Sequence, residues 1–97
     1  MAKAYWIAFY ESISNLDALA AYGKLAGPAI LAGGGRFLAR GGTEKVFEAG
    51  KDQRTVLIEF DSVEKAVATY EGEAYQAARK LLGNAAVREI RIVQGVG

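Results

Sequence analysis

Apolar and polar residues alternate over residues 36–40 and again over 89–96, while the segments between carry apolar positions every three or four residues. Alternation is the period of a strand, and a three-to-four repeat is the period of a helix seated on something. Residues 4–10 predict the first strand, rich in aromatic residues and apolar on both faces. Tyr5, Ile7 and Phe9 share one face and Trp6, Ala8 and Tyr10 the other, as in a strand covered on both sides. Ser14 and Asp17 form a variant capping box, and Leu16, Leu19, Ala20 and Gly23 carry a helix from about Asn15. Gly27-Pro28 predicts a kink or restart, because proline lacks an amide donor and crowds the preceding turn. The second piece, 28–32, ends at Gly33-Gly34-Gly35, where glycine takes helix-terminating conformations easily.

A strand over 36–40 follows, with Gly41-Gly42 as punctuation, a short continuation over 46–49 and a polar turn at 50–53. Residues 54–60 give the strongest strand signal, so 36–60 predicts an antiparallel hairpin with a long or bulged tip. Ser62 is the next N-cap. Val63, Ala66, Val67 and Tyr70 space a helix that pauses near Gly72, resumes at Glu73 and ends around Leu82-Gly83-Asn84. The last strand is 89–96. Strand, helix, strand, strand, helix, strand is the order of the ferredoxin-like βαββαβ sandwich, an α+β fold with helices on one face of a four-stranded antiparallel sheet.

Two helices cover only one sheet face. Phe37, Ala39, Val56, Ile58, Phe60, Ile90 and Ile92 form the apolar set that belongs beneath them. The opposite set, Arg36, Leu38, Arg40, Thr55, Leu57, Glu59, Glu89, Arg91 and Val93, mixes apolar and charged residues. Such a face is too apolar to leave wet and too charged for an ordinary core. A homodimer meeting through it, with Arg and Glu paired across a two-fold axis, answers both demands. A monomer with one wet antiparallel face is the simpler alternative.

Composition narrows the function. The 97 residues suit a single domain, 1–97, and 52% of them are apolar, which argues against disorder. There is no cysteine and no histidine, so the commonest metal ligands and the readiest proton shuttle are missing. No cofactor is expected. A net charge of +1 is far from a nucleic-acid footprint, and no apolar run is long enough for a membrane span. The N-terminal residues lack the order of a secretion signal, and a cytoplasmic setting is the expectation.

Several segments are distinctive: Ala4-Tyr5-Trp6-Ile7-Ala8; Gly34 to Gly42, reading GGRFLARGG; Val56 to Ser62, reading VLIEFDS; and Tyr70 followed by Glu73-Ala74-Tyr75-Gln76. They resemble the domain-of-unknown-function family 1330 over nearly the whole chain. The resemblance implies the dimeric α/β-barrel superfamily, in which two ferredoxin-like sheets pair. Relatives there include cofactor-independent monooxygenases, lactone isomerases and stress-response proteins, a kinship of fold that does not fix a reaction.

The candidate chemistry is sparse. Arg36 and Arg40 suit an anion site gripping a carboxylate or phosphate, or ion pairs with Glu59 or Glu89. Gly33–Gly35 match no phosphate-loop spacing and follow a helix, so helix termination is the reading. Glu59, inside an apolar strand, is the one candidate general base; as the salt-bridge partner of Arg40 it would stay ionised and inert. Trp6, Tyr22 and Tyr75 are substrate-binding candidates for a cleft between helix and sheet, with core packing as the alternative for Trp6 above all. An RNA-binding reading fails because residues 54–60 lack the stacking aromatics of that fold. Two functions remain: a cofactor-independent, monooxygenase- or isomerase-like enzyme acting on a small aromatic or carboxylated molecule, or a non-catalytic ligand-binding or stress-related dimer.

Overall fold

The computed structural model describes residues 2–96. Its elements are β1 (Ala4–Ile13), α1 (Leu16–Ala32), β2 (Arg36–Gly41), β3 (Arg54–Phe60), α2 (Val63–Glu71), α3 (Glu73–Leu82) and β4 (Ala86–Gln94). The strands form one antiparallel sheet in the order β2-β3-β1-β4, the ferredoxin-like arrangement. The two-faced apolar strand, β1, is central. Its even-numbered residues Ala4, Trp6, Ala8 and Tyr10 are buried beneath the helices.

Local chemistry decides the boundaries. Asn15, not Ser14, caps α1, with Asn15 Oδ1 accepting from the Ala18 amide at 3.1 Å. The Ser14 hydroxyl is unavailable because it donates to the Ala85 carbonyl, as does the Ser14 amide at 2.7 Å. That clamp also joins the end of β1 to the start of β4. α1 runs unbroken through Pro28, contrary to the expected restart. Ala26 and Ile30, on either side of the proline, are both buried in the core, and packing across the site offsets one missing helical bond. Ser62 caps α2 as expected, accepting from the Lys65 amide, and Gly72 divides α2 from α3. The 46–49 continuation is loop rather than strand, and β4 begins three residues before the predicted start.

The core is aromatic. Trp6, Phe60, Tyr75 and Ile58 are the largest fully buried side chains. The Trp6 ring stacks on Phe60 at 6.0 Å and meets Tyr75 edge-on at 4.9 Å, both favourable geometries. Gly35 lets β2 approach this cluster: a Cβ there would lie 2.6 Å from Ile30 Cγ2 and 2.8 Å from Phe60 Cζ.

A β-bulge in β2 changes which face its residues use. Phe37 pairs with Ile58, but Ala39 rather than Leu38 pairs with Leu57, and Arg40 pairs with Val56. Residues directly opposite in an antiparallel pair share a face. Arg40 therefore joins buried Val56 on the helix side, while Ala39 joins Leu57 on the open side. This reverses the simple alternation expected for both, because one extra residue inverts the parity of everything beyond it. Among the described residues no helix is long and apolar enough to cross a membrane.

Candidate functional site

A pocket of about 100 Å³ opens between α1 and the covered face of the sheet. Apolar side chains form its walls: Leu19, Ala26 and Ile30 from α1, Trp6 and Ala8 from β1, Phe37 from β2, and Val56 and Ile58 from β3. Gly23 and Gly27 lie one turn apart on α1 against this space, and a Cβ at either would meet nothing within 4 Å. Each costs about 1 kcal/mol of helix stability relative to alanine. The helix forgoes side chains where the pocket is.

Its polar groups are of one kind. Arg40, Arg54 and Arg88 line the pocket with Tyr10 and Tyr22, and no carboxylate does. The placement follows from register. Tyr10 pairs with Arg54 on one side and Arg88 on the other, so β3, β1 and β4 set Arg54, Tyr10 and Arg88 in one cross-strand row. Both guanidiniums lie over the Tyr10 ring, at 5.9 and 5.7 Å from its centroid. Arg40 lies over Phe37 at 4.8 Å.

Arg88 is a hub. Its Nη1 donates to Tyr22 Oη at 2.9 Å and to Tyr10 Oη at 3.3 Å, and its Nη2 donates to Tyr75 Oη at 2.9 Å. Tyr22 and Tyr75 hydroxyls share a further bond at 2.6 Å. Burial alone would push the Arg88 pKa down; the surrounding tyrosine oxygens outweigh it and hold it raised. Burial also pushes the Tyr75 phenol far above its ordinary range, and the Tyr10 phenol is raised by the same cause. Both remain neutral donors at physiological pH. Arg54 Nε, shielded from solvent, has no hydrogen-bond partner.

The carboxylates lie elsewhere. Glu59 Oε1 accepts from Arg36 Nε at 3.0 Å and Glu59 Oε2 from Tyr5 Oη at 3.0 Å, on the open face. Asp61 accepts from Arg36 and Lys3, and Glu89 pairs with Arg91. The Arg36 hydrogen bond, the largest influence, holds Glu59 below its ordinary pKa, and Asp61 is lowered for the same reason.

Of the residues singled out by sequence, Trp6, Tyr22 and Arg40 meet at the pocket. Tyr75 is fully buried behind it, touching it through Tyr22 and Arg88. Arg36 and Glu59 pair with each other on the opposite face, so the anticipated Arg40–Glu59 bridge does not form. Arg54 and Arg88 were missed as site residues. The signal was present: Arg54 is two residues before Val56, and Arg88 two before Ile90, so parity alone places them under the helices. Among the described residues, no group of three His, Cys, Asp or Glu side chains is placed to hold a metal ion.

Comparison with known proteins gives a family and a fold. Residues 3–96 match the domain of unknown function DUF1330. A solved protein of unknown function from Rhodopseudomonas palustris is 17% identical, covering 99% of this chain and 84% of its own, with a TM-score of 0.74. A dimeric ferredoxin-like protein of unknown function from Thermobifida fusca is also 17% identical (96% and 91% covered, TM-score 0.63). A candidate antibiotic biosynthesis monooxygenase from Caulobacter crescentus is 14% identical (99% and 92% covered, TM-score 0.63). No curated protein matches.

Proposed function

The chain belongs to the DUF1330 family, and from its pocket we propose that it binds a small organic anion, a carboxylate with an apolar body, between α1 and the sheet. One observation carries this reading: three arginines and two tyrosines line an apolar pocket that holds no carboxylate, whereas Glu59 and Glu89 on the open face are each paired with an arginine. Guanidinium groups in low-dielectric surroundings are costly unless an anion joins them, and a carboxylate suits their fork geometry. The pocket is smaller than an engineered cavity of about 150 Å³ that holds benzene, so it encloses a short chain such as that of butanoate, while the ring of benzoate extends from its open mouth.

The protein acts as a homodimer in this reading. Ile7, Phe9, Leu57 and Val93 share the open face with the Arg36–Glu59 and Arg91–Glu89 pairs, and Val93 and Leu38 are 48% and 52% exposed. A second copy covers that face. In this arrangement Arg36 and Glu59 serve the interface rather than the ligand. Sedimentation velocity checks it: a monomer at micromolar concentration removes the dimer.

Isothermal titration with butanoate, benzoate and their primary amides tests the pocket. The acids bind and the amides do not, and Arg54→Met weakens the acids. Equal binding of acid and amide, or none of either, overturns the reading.

A second, catalytic reading has one support of its own. Donors without acceptors stabilise an enolate or phenolate as well as a carboxylate, and this suits a cofactor-independent monooxygenase or isomerase whose substrate supplies its own acidic proton. Exchange of the α-protons of 2-oxobutanoate in D2O, followed by NMR, is its test. Exchange at the buffer rate removes it.

A further inference from the structure

The hydroxyl protons around Arg88 can be counted, and the count assigns a direction to the tyrosine pair. Tyr75 is fully buried and its oxygen accepts from Arg88 Nη2; Tyr22, 8% exposed, accepts from Arg88 Nη1 and lines the pocket. The two hydroxyls are 2.6 Å apart, so one donates to the other. Were Tyr22 the donor, the Tyr75 proton would be left in the core with no acceptor, at the full cost of an unmade buried hydrogen bond. With Tyr75 as donor, Tyr75 is satisfied. Tyr22 Oη then accepts from both Tyr75 and Arg88, its lone pairs are occupied, and its own proton is free.

The pocket is the space that proton has. Among the described residues no acceptor other than the Tyr75 oxygen lies within hydrogen-bond reach of the Tyr22 hydroxyl, and the pocket lining offers no acceptor side chain except the phenols themselves. Two donations into Tyr22 Oη, one from a cation, also polarise its O–H bond and make it a stronger donor. Arg54 Nε–H has no partner either, and the Tyr10 hydroxyl, which accepts from Arg88 at 3.3 Å, is the third donor on this lining.

We propose that Tyr22 is the specificity-determining hydroxyl of the pocket: Arg88 and Tyr75 orient its proton toward the bound anion, and one carboxylate oxygen is held by Tyr22 Oη–H while Arg54 engages the other. Tyr75 is a positioning residue, acting only through Tyr22. This rests on the anion-binding reading above, and it adds the residue that tells a carboxylate from a group that brings its own donor. A primary amide that turns its N–H2 toward Tyr22 and Arg54 meets donors with donors.

The test is titration of butanoate and benzoate into wild type and Tyr22→Phe by calorimetry, with the urea midpoint of each protein recorded first. Phenylalanine keeps the ring, so the fold survives. Affinity for the acids falls 10- to 100-fold, the loss expected for one hydrogen bond to a charged acceptor. Tyr75→Phe weakens the acids less, by about three- to tenfold, because it removes one of the two groups that orient the Tyr22 proton while Tyr22 still accepts from Arg88 and still donates to the anion. Acids that bind wild type and Tyr22→Phe equally overturn the assignment of Tyr22 while leaving the pocket intact. Acids that bind neither protein overturn the pocket reading, and this assignment with it. A measurement without any variant stands beside these: in tyrosine labelled with 13C at Cζ, butanoate shifts the Tyr22 resonance more than that of Tyr75. A larger shift at Tyr75 reverses the hydrogen-bond direction and refutes the proposal.

Discussion

Arg88→Met separates a strut from a ligand group. The substitution keeps an unbranched apolar stem in place and deletes the guanidinium, with its two bonds at 2.9 Å to Tyr22 and Tyr75 and a longer one at 3.3 Å to Tyr10. Hydrogen bonds involving a charged group contribute about 1.5–3 kcal/mol each, so the two shorter bonds represent about 3–6 kcal/mol. Against this stands the cost of holding a cation partly out of water, several kcal/mol, with only neutral phenols as partners. Tyr22 and Tyr75 keep their mutual bond when the guanidinium leaves, and only the Tyr10 hydroxyl, held by the longest of the three bonds, loses its partner. The terms nearly cancel, and Arg88→Met changes the free energy of unfolding by less than about 2 kcal/mol in either direction. Carboxylate affinity in the same protein falls at least 10-fold. Urea unfolding by circular dichroism, at unchanged m-value, measures the first quantity, and calorimetric titration the second. A loss above about 4 kcal/mol with unaltered anion binding would show that Arg88 is a structural post and that its cation is compensated within the fold.

Three further perturbations follow from the same geometry. Gly23→Ala stabilises α1 by up to about 1 kcal/mol, since the added methyl meets nothing, yet it narrows the pocket; a variant that melts higher and still binds carboxylates unchanged would contradict the pocket's position. Gly35→Ala forces a methyl against Ile30 and Phe60 and costs about 1–3 kcal/mol, read from the urea midpoint; an unchanged midpoint would mean that β2 can shift freely. Arg36→Gln alters the acid limb of the stability curve. Glu59 and Asp61 have folded-state pKa values below their ordinary ones, so their contribution is complete above the ordinary carboxylate range and is lost as pH falls through the lowered values. The variant is therefore less stable than wild type at neutral pH, and the two curves converge as pH falls below the ordinary carboxylate range. Parallel curves down to pH 2 would disprove that pairing.

The parts of the fold that sequence revealed are those governed by period. The element order, the separation of α2 from α3 at Gly72, the Ser62 cap and the limits of β3 all follow from spacing and from single residues with one dominant role. What escaped were competitions between local and distant partners. Ser14 has the chemistry of a cap, but the Ala85 carbonyl, 71 positions away in sequence, claims its hydroxyl. Pro28 has the chemistry of a break, but burial on both sides holds the helix. The site was half legible. Trp6, Tyr22 and Arg40 were selected as residue types suited to a cleft, although Arg40 was placed on the wrong face because alternation carries no mark of a bulge. Arg54 and Arg88 were overlooked because an arginine at the end of a strand reads as solvated surface. Only the register that sets both against Tyr10 shows them turned inward.

The bulge at Leu38 has a bearing on how this chain can change over time. The proposed ligand pocket and the proposed self-association face lie on opposite sides of one sheet, and the bulge sets Arg40 on the pocket side. Deleting Leu38 would restore unbroken alternation and leave Arg40 opposite Val56, whereas drawing Leu38 into register opposite Leu57 would carry Arg40 to Thr55 on the open face. With Leu38 drawn into register the pocket would lose a cation, and the open face that carries Arg36 and Glu59 would gain one. A lineage can thus move this cation from one face to the other by smoothing or restoring the bulge, with no substitution of Arg40 itself. Relatives of the same length whose strand lacks the bulge should carry the corresponding residue on the open face.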